Sequence, residues 1–211
     1  MENSIATAQK QVQTIKNYYR WQSKIYDATR WTFLFGRNHI LRQIPLNKDG
    51  AWRMMEVGCG TGRNLGQLAH QFPKAFLTGL DVSEDMLFHA SKRLDYLGSR
   101  ILLEERPYAY GDHGKYGHFD AILFSYSLSM INPQWEELIR QAYDDLRPGG
   151  YIAVLDFHDS TYPWFKTLMA HNHVRMDSHL LPFLKAHFQP CYEKVRKGYG
   201  VWEYVAFVGQ K

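Results

Sequence analysis

The sequence predicts an α/β fold: a mostly parallel sheet with a C-terminal antiparallel hairpin, preceded by an N-terminal helical cap. Three observations predict it. From residue 51 onward, short apolar runs alternate with helical stretches, as a parallel sheet with crossover helices requires. The first run ends in Gly58-Cys59-Gly60-Thr61-Gly62, with glycines at alternate positions, so the backbone can turn sharply and approach a ligand with no Cβ in the way. About twenty residues later the second run ends at Asp81, an acid at a strand tip that suits the two hydroxyls of a ribose. Loop and acid together read as an adenosine site.

The elements follow in order. From Thr7 to Ile44 no proline interrupts, Gly36 is the one glycine, and apolar or aromatic residues recur at helical spacing, which gives the cap. Pro45 to Gly50 is a linker, so residues 1–50 read as a cap and substrate lid and residues 51–211 as the ligand-binding core of one structural domain. The core is expected to begin with a strand over Arg53–Val57 and a helix over Arg63–His70, followed by a strand over Ala75–Leu80. Ser83 is placed as the N-cap of a helix over Glu84–Leu97. Strands over Ile101–Glu104, Phe119–Phe124 and Tyr151–Asp156 come next, with a helix between Pro133 and Leu146. Helices over Tyr162–Asn172 and Ser178–Phe188 precede a hairpin of Tyr192–Lys197 with Val201–Val208, turning at Gly198-Tyr199-Gly200.

Length and composition bound the function. At 211 residues the chain suits one α/β core, and a 15% aromatic content exceeds what packing such a core needs. No apolar run approaches the roughly 20 residues of a membrane span, and the start Met1-Glu2-Asn3-Ser4 lacks the basic and apolar regions of a signal peptide, so a cytosolic protein is expected. Cys59 and Cys191 stand in unlike contexts with no Cys-x-x-Cys spacing, which argues for reduced thiols. His171-x-His173 falls at a helix end, where the two rings diverge, and no metal site is expected. Lys10, Lys16, Arg20, Lys24 and Arg30 mix with Tyr18, Tyr19, Trp21, Tyr26 and Trp31 in a segment nearly free of acids. That mixture suits an anionic membrane surface at the inner face of the cell membrane. RNA is the weaker alternative, because no basic stripe continues outside the segment, and no nucleic acid is expected.

The loop separates two cofactor classes. A dinucleotide site places its third glycine where this chain has Arg63; here the spacing is Gly-x-Gly-x-Gly, with Glu56 two residues before the first glycine. This resembles the first motif of class I S-adenosylmethionine-dependent methyltransferases. Gly117 to Ser125 is similar to that family's fourth strand, and Leu146-Arg147-Pro148-Gly149-Gly150-Tyr151 to the turn into its fifth. The resemblance implies a Rossmann-like methyltransferase sheet and S-adenosyl-L-methionine as cofactor. Glu56, Gly58, Cys59, Gly60, Gly62 and Asp81 would then be cofactor-binding, with Glu105 after the third strand on the adenine side.

A narrower resemblance rests on Tyr18-Tyr19-Arg20-Trp21, on Ile25 through Arg37, and on Phe124-Ser125-Tyr126-Ser127-Leu128-Ser129-Met130-Ile131. These stretches are similar to the N-methyltransferase of betaine-lipid synthesis, which trimethylates the amine of diacylglyceryl-homoserine. It implies that Ser125 and Tyr126 face the reacting methyl, and that Tyr19, Tyr26 and Arg30 close over the cofactor or grip the substrate carboxylate, which a guanidinium binds through two parallel hydrogen bonds. His158-Asp159, just past the fifth strand, reads either as an acid/base pair or as plain loop residues. Two other readings keep the fold: methyl transfer to a quinone, phosphatidylethanolamine or soluble small molecule, and a binding module with no catalysis.

Overall fold

The protein is described by a computed structural model over residues 34–108, 115 and 117–211. The expected cap helices before residue 34 lie outside the described residues. The first described helix is α1 (Arg37–Arg42), which buries Ile40 and Leu41.

Strand β1 (Arg53–Val57) is buried from its second residue, and β4 (Phe119–Ser125) along its whole length. Uninterrupted apolar runs of this kind belong in a parallel sheet covered on both faces. Between them come α2 (Arg63–Gln71), β2 (Phe76–Asp81), α3 (Glu84–Leu94) and β3 (Ile101–Glu105). Leu65, Leu68 and Ala69 put the apolar face of α2 on the sheet. The Ser83 hydroxyl caps α3 by accepting from the Met86 N–H; Glu84 and Asp85 then fill its first turn and Lys92 and Arg93 its last, in keeping with the helix dipole.

The second half holds α4 (Trp135–Asp145), β5 (Leu146–Phe157), α5 (Pro163–His171), α6 (Leu180–His187), β6 (Gln189–Gly198) and β7 (Trp202–Gln210). The seven strands run in the order β3-β2-β1-β4-β5-β7-β6. All neighbours from β3 to β5 are parallel, while β7 is antiparallel to both β5 and β6. The expected sheet, mostly parallel with a C-terminal antiparallel hairpin, is therefore the observed one. One core cluster, including Leu65, Tyr126, Phe165 and Trp202, packs under α1, α2 and α5; a second, including Ile139, Leu184 and Phe207, packs under α4 and α6.

Three boundaries differ from expectation. The helix predicted to reach Leu97 ends at Leu94 and continues as a kinked 3-10 turn, because Gly98 takes φ 55, ψ −125. The strand predicted from Tyr151 begins at Leu146, since Leu146 pairs with Phe119 across an irregularity in register, and the C-terminal Lys211 bonds Gly149 and Gly150. The hairpin is longer than predicted on both arms, with partners from Gln189↔Gln210 to Gly198↔Trp202. In the two strand cases pairing across the sheet overrides the local sequence signal.

Candidate active site at the carboxyl edge of the sheet

Strand order reverses between β1 and β4, and the crevice beyond their carboxyl ends is where open α/β sheets bind ligands. The loop after β1 occupies this crevice. Gly58, Gly60 and Gly62 all have positive φ, at 73, 53 and 70 degrees. The N–H groups of Gly58 and Cys59 both donate to the Leu80 carbonyl at the end of β2, at 2.8 and 2.9 Å. A Cβ on Gly62 would stand 2.7 Å from Leu94 Cδ1, whereas at Gly60 nothing lies within 4 Å. Gly62 is thus a packing glycine, and Gly60 opens onto free space.

Asp81, at the tip of β2, is fixed by the same loop. Its Oδ2 accepts from the Gly60 N–H at 2.8 Å and its Oδ1 from the Ser83 N–H at 3.0 Å. The carboxylate is thereby aimed across the edge instead of rotating freely. Glu105 is its direct partner on β3, so the two acids share one face of the sheet at the same edge.

Glu56 is fully buried on β1. Its Oε1 accepts from the Asn64 side-chain amide at 2.7 Å, while Oε2 is buried with no hydrogen-bond partner. Burial pushes its pKa up to about 8, partly offset by the Asn64 bond and the Arg37 charge. The carboxyl is thus largely protonated near neutral pH, and an arriving cation would draw the proton off. Cys59 is buried beside it; burial, with the Asp81 and Glu56 charges, raises the thiol well above its ordinary range, so it stays neutral. Gly79 on β2 makes room for it, as a Cβ there would stand 2.9 Å from Cys59 Sγ and 2.6 Å from Leu65 Cδ1.

From the other side of the switch point, β4 delivers Ser125 and Tyr126. The Ser125 Oγ is buried without a partner. Tyr126 has φ 57, uncommon outside glycine, and its N–H donates to the Leu155 carbonyl at 2.6 Å. Its hydroxyl donates to the Phe35 carbonyl at 2.9 Å, and the phenol is held well above its ordinary pKa by burial and by Asp156. Tyr126 therefore serves as a neutral donor that ties the segment before α1 to the end of β4.

Asp156, fully buried on β5, accepts from the Ser129 hydroxyl and N–H and from the Phe157 N–H. Burial raises it to about 6 in spite of those bonds. His158 and Asp159 do not pair with each other through their side chains. Asp159 takes Lys166 at 2.5 Å and the Ser160 N–H, while burial lowers His158 and keeps the imidazole neutral.

The edge thus gathers Glu56, Gly58, Cys59, Gly60, Gly62, Asp81, Glu105, Ser125 and Tyr126, while Tyr19, Tyr26 and Arg30 lie outside the described residues. Sequence reasoning missed three neighbours. Asn64 holds Glu56, Arg37 stands 6.0 Å from the Tyr126 ring centroid, and Ser127 sits against the loop, its Cβ 3.0 Å from where a Gly58 Cβ would be. The Ser127 Oγ is likewise buried without a partner. The one signal for Asn64 was a polar residue on the buried face of an amphipathic helix.

The residues fit a nucleoside cofactor with a charged tail. Among the described residues three buried oxygens, Glu56 Oε2, Ser125 Oγ and Ser127 Oγ, have no hydrogen-bond partner, which buried polar atoms rarely tolerate unless something else completes them. Ser127 stands against Gly58 of the loop, and the Gly60 N–H of the same loop holds the Asp81 carboxylate. A separate groove of 1020 Å³ lies behind α2, lined by Arg42, Arg63, His70, Arg93 and Tyr96 among others, and includes none of these edge residues.

Residues 54–150 match the family model described as a methyltransferase domain. The chain is 35% identical over 103 residues to the trans-aconitate 2-methyltransferase of Deinococcus radiodurans, covering 48% of this chain and 36% of that one. Across the first curated relatives it matches, the chain spans from 36% to 60% of their length. Among solved structures, it superposes on the 1,6-didemethyltoxoflavin-N1-methyltransferase of Burkholderia thailandensis, bound to S-adenosylhomocysteine, with a TM-score of 0.71 at 16% identity, covering 94% of this chain and 88% of that one. The phosphoethanolamine N-methyltransferase 2 of Haemonchus contortus, in complex with S-adenosyl-L-methionine, gives 0.72 at 16% identity, covering 93% and 59%. At such identities the likeness is one of fold.

Proposed function

We propose that the chain is a class I S-adenosylmethionine-dependent N-methyltransferase converting the amine of diacylglyceryl-homoserine to its trimethylated betaine lipid, a reading that starts from the match of residues 54–150 to a methyltransferase domain. The cofactor half rests on one observation: among the described residues, buried oxygens without hydrogen-bond partners lie on β1 and at the end of β4, the strands either side of the switch point, beside a glycine loop that holds Asp81. The acceptor half rests on the resemblance of Tyr18 through Trp21, Ile25 through Arg37 and Phe124 through Ile131 to the betaine-lipid enzymes.

When bound, S-adenosylmethionine supplies a methyl group activated by its positive sulfur. The chain's contribution is to hold, orient and desolvate. Asp81 accepts from the ribose hydroxyls, and Glu56 exchanges its proton for the cationic amino-acid end. Gly60 lets the backbone come close, and Ser125 and Ser127 offer hydroxyls at the end of β4. Tyr126 keeps the Phe35 segment over the edge, which limits water at the reacting centre. On the resemblance, Tyr19, Tyr26 and Arg30 are the residues that would close over the cofactor or grip the acceptor's carboxylate, to which a guanidinium is suited.

The test is mass spectrometry of lipids from a host without betaine lipids that expresses this chain together with an enzyme making diacylglyceryl-homoserine. A species three methyl groups heavier, absent with Asp81→Ala, is expected. An unmethylated homoserine lipid alongside intact binding of S-adenosylhomocysteine would move the acceptor to a quinone, another lipid or a soluble amine and leave the methyltransferase reading standing.

A further inference from the structure

Four large apolar side chains stand out to solvent at one end of the sheet: Tyr162 at 44% exposure, Trp164 at 59%, Leu168 at 51% and Tyr199 at 70%. They form one patch. Trp164 and Leu168 lie one helical turn apart on α5, and Tyr162 precedes that helix, 6.4 Å from Trp164 between ring centroids. Trp164 meets Phe165, Phe165 stacks on Trp202 at 5.4 Å, and Trp202 meets Tyr199 at 5.5 Å. Buried rings thus connect the two exposed clusters.

Position and charge give the patch a meaning. The end of α5 nearest Tyr162 follows the carboxyl end of β5, and Tyr199 caps the β6–β7 turn at that same end of the sheet. Tyr199 packs edge-on against Phe35 at 5.1 Å, and the Phe35 carbonyl receives the Tyr126 hydroxyl, so the patch is continuous with the rim of the candidate site. Running up to the turn, the edge strand β6 exposes Lys194, Arg196 and Lys197, and its acid Glu193 is paired with Lys185. Tryptophan and tyrosine with a leucine, bordered by lysines and arginine, is the composition of a surface that sinks shallowly into an anionic lipid interface.

We infer that the face built from Tyr162, Trp164, Leu168 and Tyr199, with the β6 cations beside it, docks the chain on an anionic phospholipid surface and brings the candidate site to the headgroups. This rests on the lipid-acceptor reading, and it places the contact on the C-terminal half of the chain. Among the described residues no helix is long and apolar enough to cross a membrane, so the contact is with the surface.

The test is co-sedimentation of the full chain with phosphatidylglycerol and phosphatidylcholine vesicles. The parent is expected to bind the anionic vesicles and to be released by salt. Trp164→Ala with Leu168→Ala is expected to weaken binding about tenfold or more. Replacing Lys194, Arg196 and Lys197 with serine is expected to weaken it by roughly fivefold per charge on anionic vesicles alone. All five side chains are exposed, so the melting temperature should hold, and methylation of acceptor in detergent micelles should match the parent while methylation in vesicles falls. Parent-like vesicle binding by the variants, or no binding by the parent, overturns the proposal. So does a parent dimer in light scattering that the Trp164 and Leu168 changes convert to monomer, because a second copy would then cover the patch. Vesicle binding is read without methyl transfer, so a chain that binds but methylates no lipid sinks the acceptor assignment and leaves this surface intact.

Discussion

The two edges of the same sheet treat their acids in opposite ways. At the amino edge Asp120, at the start of β4, is completed by the protein: Oδ2 accepts from the Arg53 N–H at 2.7 Å and Oδ1 lies 2.6 Å from Arg147. At the carboxyl edge Glu56 keeps a buried oxygen with no partner and a pKa near 8. Both acids are well buried, so depth does not separate them. The amino edge is finished when the chain folds; on the proposed function the carboxyl edge is finished only when the cofactor binds, and it carries the cost until then.

The largest way to expose that cost is pH. Glu56 has its folded pKa raised from 4.5 to about 8, so as pH rises the unfolded chain releases the proton first. The associated stability is full below about pH 4.5 and is lost as pH rises toward 8, on the order of 5 kcal/mol in all. Asp156 adds a change of the same sign between 3.8 and about 6. Glu56→Gln keeps the Asn64 bond and should flatten the upper part of the curve, read as melting temperature against pH.

Next comes the aimed acid. Asp81→Ala should weaken S-adenosylhomocysteine binding by about a hundredfold in calorimetry, the size of two hydrogen bonds to a charged acceptor. The same change at Asp120 should leave that binding unaltered.

The glycines divide along the same line at smaller scale. Gly62→Ala pushes a methyl against Leu94 at positive φ and should cost about 2 kcal/mol of folding stability in urea. Gly60→Ala meets no atom and should cost about 1 kcal/mol, with its main effect on cofactor binding. Smallest of all, Asp120→Asn should remove about 1 kcal/mol of stability by denaturation and change no ligand affinity.

Much of this was legible because it is local. Alternate glycines, an acid at the end of an apolar run, and a serine before Glu84-Asp85 each act within a few residues, so the loop, Asp81 and the α3 cap fell where the sequence put them. The start of β5 was not legible, because a Pro-Gly-Gly stretch reads as a turn until Phe119 and Lys211 hold it in the sheet. Ser127 and Arg37 were hidden for the same reason, since their partners lie far away in sequence.

By itself the sequence determined the α/β alternation, the parallel order with its terminal hairpin, and the glycine loop with its acid after the second strand, all through short-range patterns of polarity and backbone freedom. Tertiary structure alone decided which polar atoms stay unpaired, that Tyr126 is a fastening phenol, and that rings from α5 and the β6–β7 turn meet on one exposed face. Burial and pairing depend on what the rest of the chain brings to a point, and no window of sequence contains that.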